Sequence, residues 1–353
     1  MSAKTRVKIK DVASLAGTSI TTTSRVLSNS HYPVSAELRQ KVEAAASELS
    51  FVVRQTPQAS NSLNAIGLVV PTLLNPFYTQ TIEGIGAVCR EKGFGLLLCN
   101  SQHSQKLEDK FLHDLLSRGA KGVIISSLSE ENSALPTLIS RGIYAVQLDQ
   151  HFELSGCDNI NFDTKVGAQM AVRHLYDNGH RRIALATKQL TRWSRRRVYQ
   201  GYCEQLQHFD LPVDENLIFI SNETEESTQN FYTAVGNKIA QRFIDSKCGA
   251  TAVFCVNDMV AVGFIQGLSH SGIKVPDDVS VVGFDDVPYA ALSVPALTTI
   301  HCPSYEIGRL AALRLIDRIQ SNGSGSNGAT DASISVVLQP KLIERSSVKS
   351  VQP

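Results

Sequence analysis

The chain has 353 residues, of which 42% are hydrophobic, and its formal net charge is +1. This length predicts two or three globular domains with a sizeable core. No apolar run approaches about 18 residues and no apolar stretch follows the basic N-terminus, so we expect a cytoplasmic protein with neither a membrane span nor a signal peptide. The seven cysteines are scattered and contain no C-x-x-C pair, which favours buried apolar positions over a zinc site or a redox pair.

The first fifty residues predict a helix-turn-helix. One face of the first helix is apolar because four residues fall at helical spacing: Ile9, Val12, Ala13 and Ala16. Gly17 permits a tight turn, and Ser19 is placed to cap a second helix in which Val26 and Leu27 turn inward. The exposed face of that helix carries Ile20, Thr21, Thr22 and Arg25. A short helix that offers hydroxyls and one guanidinium suits a DNA major groove.

A third helix is predicted after Ser35, a capping residue. Its apolar residues close a small core: Leu38, Val42, Ala45 and Leu49. Residues 1–60 hold eight Lys or Arg and four Asp or Glu, a net charge of +4 that leaves −3 for the rest of the chain. The positive charge is local, as expected if only this end meets phosphates. The alternative is a helical hairpin packed against the rest of the protein, but the polar, proline-containing residues 54–64 favour a linker.

From Ala65 onward, short apolar runs alternate with amphipathic segments. The runs lie at residues 66–71, 95–99, 123–126, 144–148, 183–186, 252–256 and 279–284. Continuous apolar runs of this length are typical of buried parallel strands. Two successive sets of them predict two doubly wound α/β halves that share one ligand cleft at the carboxyl ends of their strands.

The residues just after the predicted strands are therefore the candidates for ligand contact. They are residues 75–78, Asp149, Asp163, residues 192–197, Asn257, Asp258, Asp285 and Asp286. Carboxylates and amides accept hydrogen bonds from sugar hydroxyls, and aromatic faces cover sugar rings. Helix capping is the alternative role for each of them.

Catalysis has no candidate in this sequence. The chain lacks G-x-G-x-x-G after the first strand, G-x-x-x-x-G-K-[ST], G-x-S-x-G and H-E-x-x-H. Its nine histidines form no close ligand pair. We therefore predict no catalytic residue, no metal site and no cofactor.

Five motifs follow one another in a specific order along the chain. They are I-K-D-V-A-x-x-A-G-x-S-x-x-T-x-S-R-V-L at residues 9–27, N-P-F-Y at 75–78, N-G-H-R-R-I-A at 178–184, N-D-x-x-A-x-G at 257–263 and V-P-D-D-V-S-V-V-G-F-D-D at 275–286. With residues 295–300 and 341–345, this order resembles the LacI/GalR family of bacterial transcriptional regulators over nearly the entire chain.

The resemblance implies an N-terminal all-α helix-turn-helix domain and an α/β domain like a periplasmic binding protein, built of two doubly wound subdomains. We expect the DNA-binding domain at residues 1–52, a linker or degenerate hinge at 53–64, the effector-binding and dimerisation domain at 65–345 and a tail at 346–353. The first subdomain would comprise residues 65–161 and 293–321. The second would comprise residues 162–292 and 333–345. Residues 322–333 would form a mobile surface loop.

The resemblance also assigns site residues. Base edges would be read by Ile20, Thr21 and Arg25, and phosphates would be held by Thr22, Ser24 and Asn29. The effector cleft would contain Phe77, Asp149, Asp163, Asn257, Asp258 and Asp285. The implied partners are double-stranded operator DNA, a small, carbohydrate-derived effector and a second copy of the chain. Because no leucine-heptad extension follows Arg345, a homodimer is favoured over a tetramer.

The chain departs from the family pattern at three places. Thr18 and Thr23 stand where valine is usual, so two hydroxyls enter a small core. Residues 52–63 lack the usual hinge-helix motif, which puts operator bending in doubt. Val198 stands where an arginine usually clasps the ligand, next to a basic run that contains Arg195 and Arg197. Guanidinium groups bind carboxylate or phosphate, which favours a sugar acid or sugar phosphate over a neutral effector; a solvated loop is the alternative.

The sequence thus predicts a transcriptional repressor whose operator affinity is controlled by a small effector. The main alternative is a ligand-independent regulator that uses the α/β domain as a dimerisation scaffold. A sugar-transport component or an enzyme is a further alternative, disfavoured by the helix-turn-helix and by the missing catalytic motifs.

Overall fold

The computed structural model describes residues 8–27, 34–49, 51, 64–128, 134–150, 154–223, 231–323 and 333–352. The chain divides into two compact units, Met1–Ser62 and Leu63–Pro353. Asn29, most of the predicted linker and most of the predicted surface loop between residues 321 and 333 lie outside the described residues. Within the described part, no helix is long and apolar enough to cross a membrane.

The first unit contains the predicted helix-turn-helix. Its three helices are α1 (Ile9–Leu15), α2 (Ile20–Leu27) and α3 (Ala36–Glu48). Gly17 turns the chain with a φ of +64°, and the Ser19 hydroxyl accepts a hydrogen bond from the Thr22 amide at 3.1 Å, as expected of an N-cap. Ser35 caps α3 in the same way. The core is formed by Val12, Ala13, Val26, Val42, Ala45 and Ala46.

Thr23 places a hydroxyl in this small core. Its side chain is fully buried, and Oγ1 has no hydrogen-bond partner among the described residues. Thr18, the other predicted core threonine, is only half-buried. A buried hydroxyl without a partner costs about 1–3 kcal/mol, so the first unit is less stable than its apolar packing allows.

We therefore expect Thr23→Val to stabilise the first unit by about 1–2 kcal/mol. In the full chain, hydrogen exchange of the α2 amides should slow about 5–30-fold. Thr22→Val is the matched control, because the Thr22 hydroxyl already bonds the Ser19 hydroxyl at 2.8 Å. Faster exchange in Thr23→Val would mean that the Thr23 hydroxyl is satisfied in solution.

The second unit consists of two sheets flanked by helices. Its strands are β1 (Ala65–Val70), β2 (Gly95–Asn100), β3 (Gly122–Ile125), β4 (Tyr144–Gln147), β5 (Cys157–Phe162), β6 (Ile183–Thr187), β7 (Ile218–Ile220), β8 (Ala252–Cys255), β9 (Ser280–Asp285), β10 (Thr298–His301), β11 (Ser335–Leu338) and β12 (Lys341–Ile343). Its helices are α4 (Pro76–Lys92), α5 (Gln105–Ser117), α6 (Ala134–Ser140), α7 (Thr164–Asp177), α8 (Trp193–His208), α9 (Phe231–Ser246), α10 (Asp258–His270), α11 (Pro288–Leu292) and α12 (Ser304–Gly323).

Each sheet forms the centre of one lobe. The first lobe has the strand order β11-β5-β4-β3-β1-β2, and the second has the order β12-β10-β9-β8-β6-β7. All paired strands are parallel except β10 and β12. The chain passes between the lobes after β5, after β10 and after β11. Three connecting segments therefore link the lobes.

The predicted subdomain boundaries are wrong for two strands. We expected β10 in the first lobe, but it pairs with β9 in the second, with Thr299 opposite Gly283. We expected β11 in the second lobe, but it pairs with β5 in the first, with Val336 opposite Ile160. β10 stays in the sheet of β9, the strand before it in the chain, whereas β11 joins β5, which lies far earlier in the sequence. No local sequence pattern reveals the long-range pairing of β11.

The predicted tail is part of the second lobe. The Ser347 hydroxyl donates to the Val281 carbonyl and accepts from the Thr298 amide, and the Val351 amide donates to the Asn178 carbonyl. His180 is fully buried, and its Nε2 lies 3.2 Å from the Lys349 carbonyl. The N-G-H motif at residues 178–180 therefore anchors the end of the chain to the lobe.

Candidate functional site

A cleft lies between the two lobes, where the carboxyl ends of the strands meet. Its wall comprises Asn75, Phe77, Tyr78, Asp149, Phe162, Thr164, Lys188, Arg192, Ser194, Arg195, Val198, Tyr232, Val256, Asn257, Phe284 and Asp285. Parallel strands end on the same edge of each sheet, so residues distant in the chain converge here.

Five of the eight predicted effector residues line this cleft: Phe77, Asp149, Arg195, Asn257 and Asp285. Asp163 instead caps α7 by accepting the Val166 amide at 3.1 Å. The Arg197 guanidinium donates to the Gln200 side chain at 2.7 Å and lies 5.7 Å from the Trp193 ring. Asp163 thus caps the start of α7, and Arg197 contacts other residues of α8. Neither residue is part of the cleft wall.

Asp258 lies behind the wall. It is fully buried, and its carboxylate accepts hydrogen bonds from the Thr299 hydroxyl and the Val287 amide. Burial raises the pKa of Asp258 to about 7. The side chain therefore ties α10 to β10 and to the start of α11, and it is not part of the cleft wall.

Sequence reasoning missed several polar wall residues. Lys188 directly follows β6, where the strand-end rule would have found it. Arg192, the residue before α8, was a candidate only as part of the range 192–197 and was not assigned to the effector cleft. Thr164 begins α7, and its buried Oγ1 has no hydrogen-bond partner among the described residues. Tyr232 lies on α9 and does not directly follow a strand, so only the folded structure reveals it.

One ion pair crosses the cleft. Arg192 from the second lobe donates to Asp149 Oδ2 of the first lobe at 2.8 Å and to the Ser126 hydroxyl at 3.0 Å. The Tyr78 hydroxyl also donates to Asp149 Oδ2, at 3.1 Å. Beside this pair, the Trp193 amide donates to Gln150 Oε1 at 3.2 Å. The start of α8 is thus joined to the segment that follows β4.

The wall has an excess of positive charge. Lys188, Arg192 and Arg195 are all buried, and the Lys188 ammonium lies 4.2 Å from the centre of the Tyr232 ring. Burial, reinforced by the charges of Asp258 and Asp149, raises the pKa of Asp285 well above its usual value. The wall thus holds three cations, Lys188, Arg192 and Arg195, and two carboxyl groups, those of Asp149 and Asp285.

Helix termini strengthen this positive field. Asn75 and Asn257 cap α4 and α10 by accepting the Phe77 and Val260 amides, and both caps line the cleft. Thr164 brings the N-terminus of α7 to the same wall. Since helix N-termini carry partial positive charge, these three termini add to the positive potential of the cleft wall.

The second candidate surface is the exposed face of α2. Ile20 is 54% exposed, and Thr21, Ser24 and Arg25 are also exposed. Thr22 is half-buried and bonded to Ser19. Thr23 and Val26 turn inward, so the predicted contact residues that the structure describes lie on the side opposite the core.

Comparisons with known proteins match parts of both units. The family described as bacterial regulatory proteins, lacI family, matches residues 8–53, and a periplasmic binding protein-like domain matches residues 172–348. The HTH-type transcriptional repressor PurR of Vibrio parahaemolyticus serotype O3:K6 (strain RIMD 2210633) is 30% identical over 349 residues, which cover 97% of this chain and 99% of PurR.

Two solved structures are similar over most of the chain. The transcriptional regulator CelR in its cellobiose complex has a TM-score of 0.70 and 27% identity, with 97% of this chain and 100% of CelR covered. The lac repressor dimer bound to operator and the anti-inducer ONPF has a TM-score of 0.68 and 25% identity, with 97% and 99% covered.

Proposed function

This chain belongs to the LacI family of bacterial regulatory proteins. It is an effector-controlled transcriptional repressor rather than an enzyme, and we propose that its effector is a small acidic carbohydrate. The repressor binds operator DNA and a small-molecule effector. We place the DNA contacts on α2 and the effector in the cleft of the α/β unit. The acidic character of the effector rests on one observation, the three buried cations Lys188, Arg192 and Arg195 in the cleft wall.

The carbohydrate character rests on the rest of the wall and on one relative. Asn75 and Asn257 offer amide groups that suit hydroxyls, while Phe77 and Tyr232 offer aromatic surface that suits a sugar ring. CelR, which is similar over nearly the whole chain, was solved with cellobiose. A sugar acid or sugar phosphate combines these two kinds of contact.

A thermal-shift screen of the full chain tests the effector class. We expect D-gluconate, D-glucuronate or D-glucose 6-phosphate to raise the melting temperature, because a ligand at 100 times its Kd adds about 2.7 kcal/mol of stability. A shift with D-glucose or adenine alone would contradict an acidic effector. No shift with any of them would favour a ligand-independent regulator.

We also propose that the repressor is a homodimer. α11 and the residues after it expose large apolar side chains, with Leu292 76% and Val294 91% exposed. Exposed apolar clusters are typical of protein interfaces. A second copy of the chain is the natural occupant, since the similar lac repressor binds its operator as a dimer and two-fold symmetry matches a near-palindromic DNA site.

For the DNA-binding unit, we propose that residues 1–52 form the DNA-binding domain and residues 53–64 the linker. Ile20, Thr21 and Arg25 would read base edges, while Thr22, Ser24 and Asn29 would hold phosphates. Because the operator lies in the bacterial cytoplasm, the repressor would act there.

A further inference from the structure

The ion pair across the cleft uses the same guanidinium that an acidic effector needs. The side chains of Arg192 and Asp149 are only 5% and 13% exposed, so solvent screens their attraction weakly. Arg192 belongs to the second lobe, as do the other two wall cations, Lys188 and Arg195. Among the described wall residues of the first lobe, Asp149 is the one with a carboxylate.

The backbone holds Asp149 in an unusual conformation. Its φ is +55°, in the left-handed region that glycine adopts most easily and that aspartate and asparagine tolerate better than other residues. Backbone strain of this kind concentrates at functional sites. Here it aims the carboxylate at Arg192, 2.8 Å away, while Tyr78 fixes the same oxygen by a hydrogen bond.

We propose that Asp149 is an internal counter-ion that competes with the acidic group of the effector for Arg192. This inference rests on the proposed acidic effector. An anion that approaches Arg192 is repelled by Asp149, and it must displace that carboxylate to make a close bidentate contact. Asp149 therefore lowers the affinity of the cleft for anions and is not one of the effector's own ligands.

The competition also couples the effector to the position of the lobes. The Arg192–Asp149 pair and the Trp193–Gln150 hydrogen bond join the same two segments of the opposite lobes. When the effector's acidic group replaces Asp149, one of these two contacts is lost. Effector binding then changes the relative free energies of the lobe arrangements, as allosteric control requires.

Isothermal titration of the full chain with D-gluconate and D-glucose 6-phosphate, and with D-glucose as the neutral counterpart, tests the proposal. In Asp149→Asn we expect the acids to bind about tenfold more tightly, because close charge pairs are strongly coupled. The affinity for D-glucose should stay within about twofold. Asparagine suits the same backbone conformation and still accepts the Tyr78 hydrogen bond.

Two further variants sharpen the test. Asp163→Asn is the matched control, because Asp163 is a carboxylate outside the cleft wall that caps α7 and asparagine caps equally well; its affinities should not change. Arg192→Gln should weaken acid binding about tenfold or more. In the Arg192→Gln background, Asp149→Asn should increase the affinity for the acids much less than it does when Arg192 is present.

The outcomes separate this inference from the proposed function. If the unmodified protein binds the acids and Asp149→Asn binds them equally or more weakly, Asp149 is a direct effector contact or a bystander, and the counter-ion role is overturned alone. If neither the unmodified protein nor Asp149→Asn binds either acid, the acidic effector and the counter-ion role both fail.

Discussion

Asp158→Ala is expected to lower the free energy of unfolding of the α/β unit by about 3–5 kcal/mol, because it leaves a buried charge without its counter-ion. Asp158 is fully buried in β5 and accepts hydrogen bonds from Arg314 Nε at 2.8 Å and Arg318 Nη1 at 3.2 Å. It also accepts the Ile334 amide at 2.8 Å. One carboxylate thus joins β5, α12 and the segment that leads into β11.

Urea unfolding of the full chain, followed by circular dichroism, measures this effect. The matched control is Glu306→Ala, which removes a carboxylate that pairs with Arg309 on the same helix at 3.2 Å. Both side chains of that pair are exposed, so its loss should cost less than about 1 kcal/mol. Equal losses in the two variants would show that burial of Asp158 adds nothing to the stability of the fold.

Strands that consist of apolar runs were predictable from the sequence, whereas polar buried strands were not. Residues 66–71 and 279–284 predicted β1 and β9 because continuous apolar runs are typical of strands buried on both faces. The run at residues 95–99 also forms a strand, but β2 lies at the edge of its sheet and is partly exposed. No such run marks β5, which contains Asp158, Asn159 and Asn161, yet all six of its residues are buried. Their partners come from α12 and from the loop after β4, which no local pattern reveals.

The site was predictable to the extent that position in the fold decides it. The rule that ligands lie beyond the carboxyl ends of parallel strands found Asp149, Asn257 and Asp285. It did not separate Asn257 from Asp258, because one step along a helix turns the side chain by about 100°. Asn257 therefore lines the cleft while Asp258 points into the core.

Arg25→Ala is expected to weaken operator binding by about 1–3 kcal/mol for each half-site, and by about twice that for a dimer. Arg25 lies on the exposed face of α2, next to Thr21 and opposite the buried residues Thr23 and Val26. We expect the Arg25 guanidinium to donate two hydrogen bonds to a guanine edge, whereas alanine donates none. The operator for this test is selected from a random DNA library with the unmodified protein.

Fluorescence anisotropy on the selected site and on unrelated DNA distinguishes base reading from phosphate contact. The control is Lys10→Ala, since Lys10 is exposed on α1 and the first helix of this motif crosses the phosphate backbone. Lys10→Ala should weaken binding to both DNAs alike and reduce the salt dependence, whereas Arg25→Ala should weaken chiefly the selected site. If Arg25→Ala weakens both DNAs equally, Arg25 holds a phosphate and specificity resides in Ile20, Thr21 and their neighbours.

A probe with a single half-site should show about half of the loss in free energy, because each protomer of a dimer contributes one Arg25.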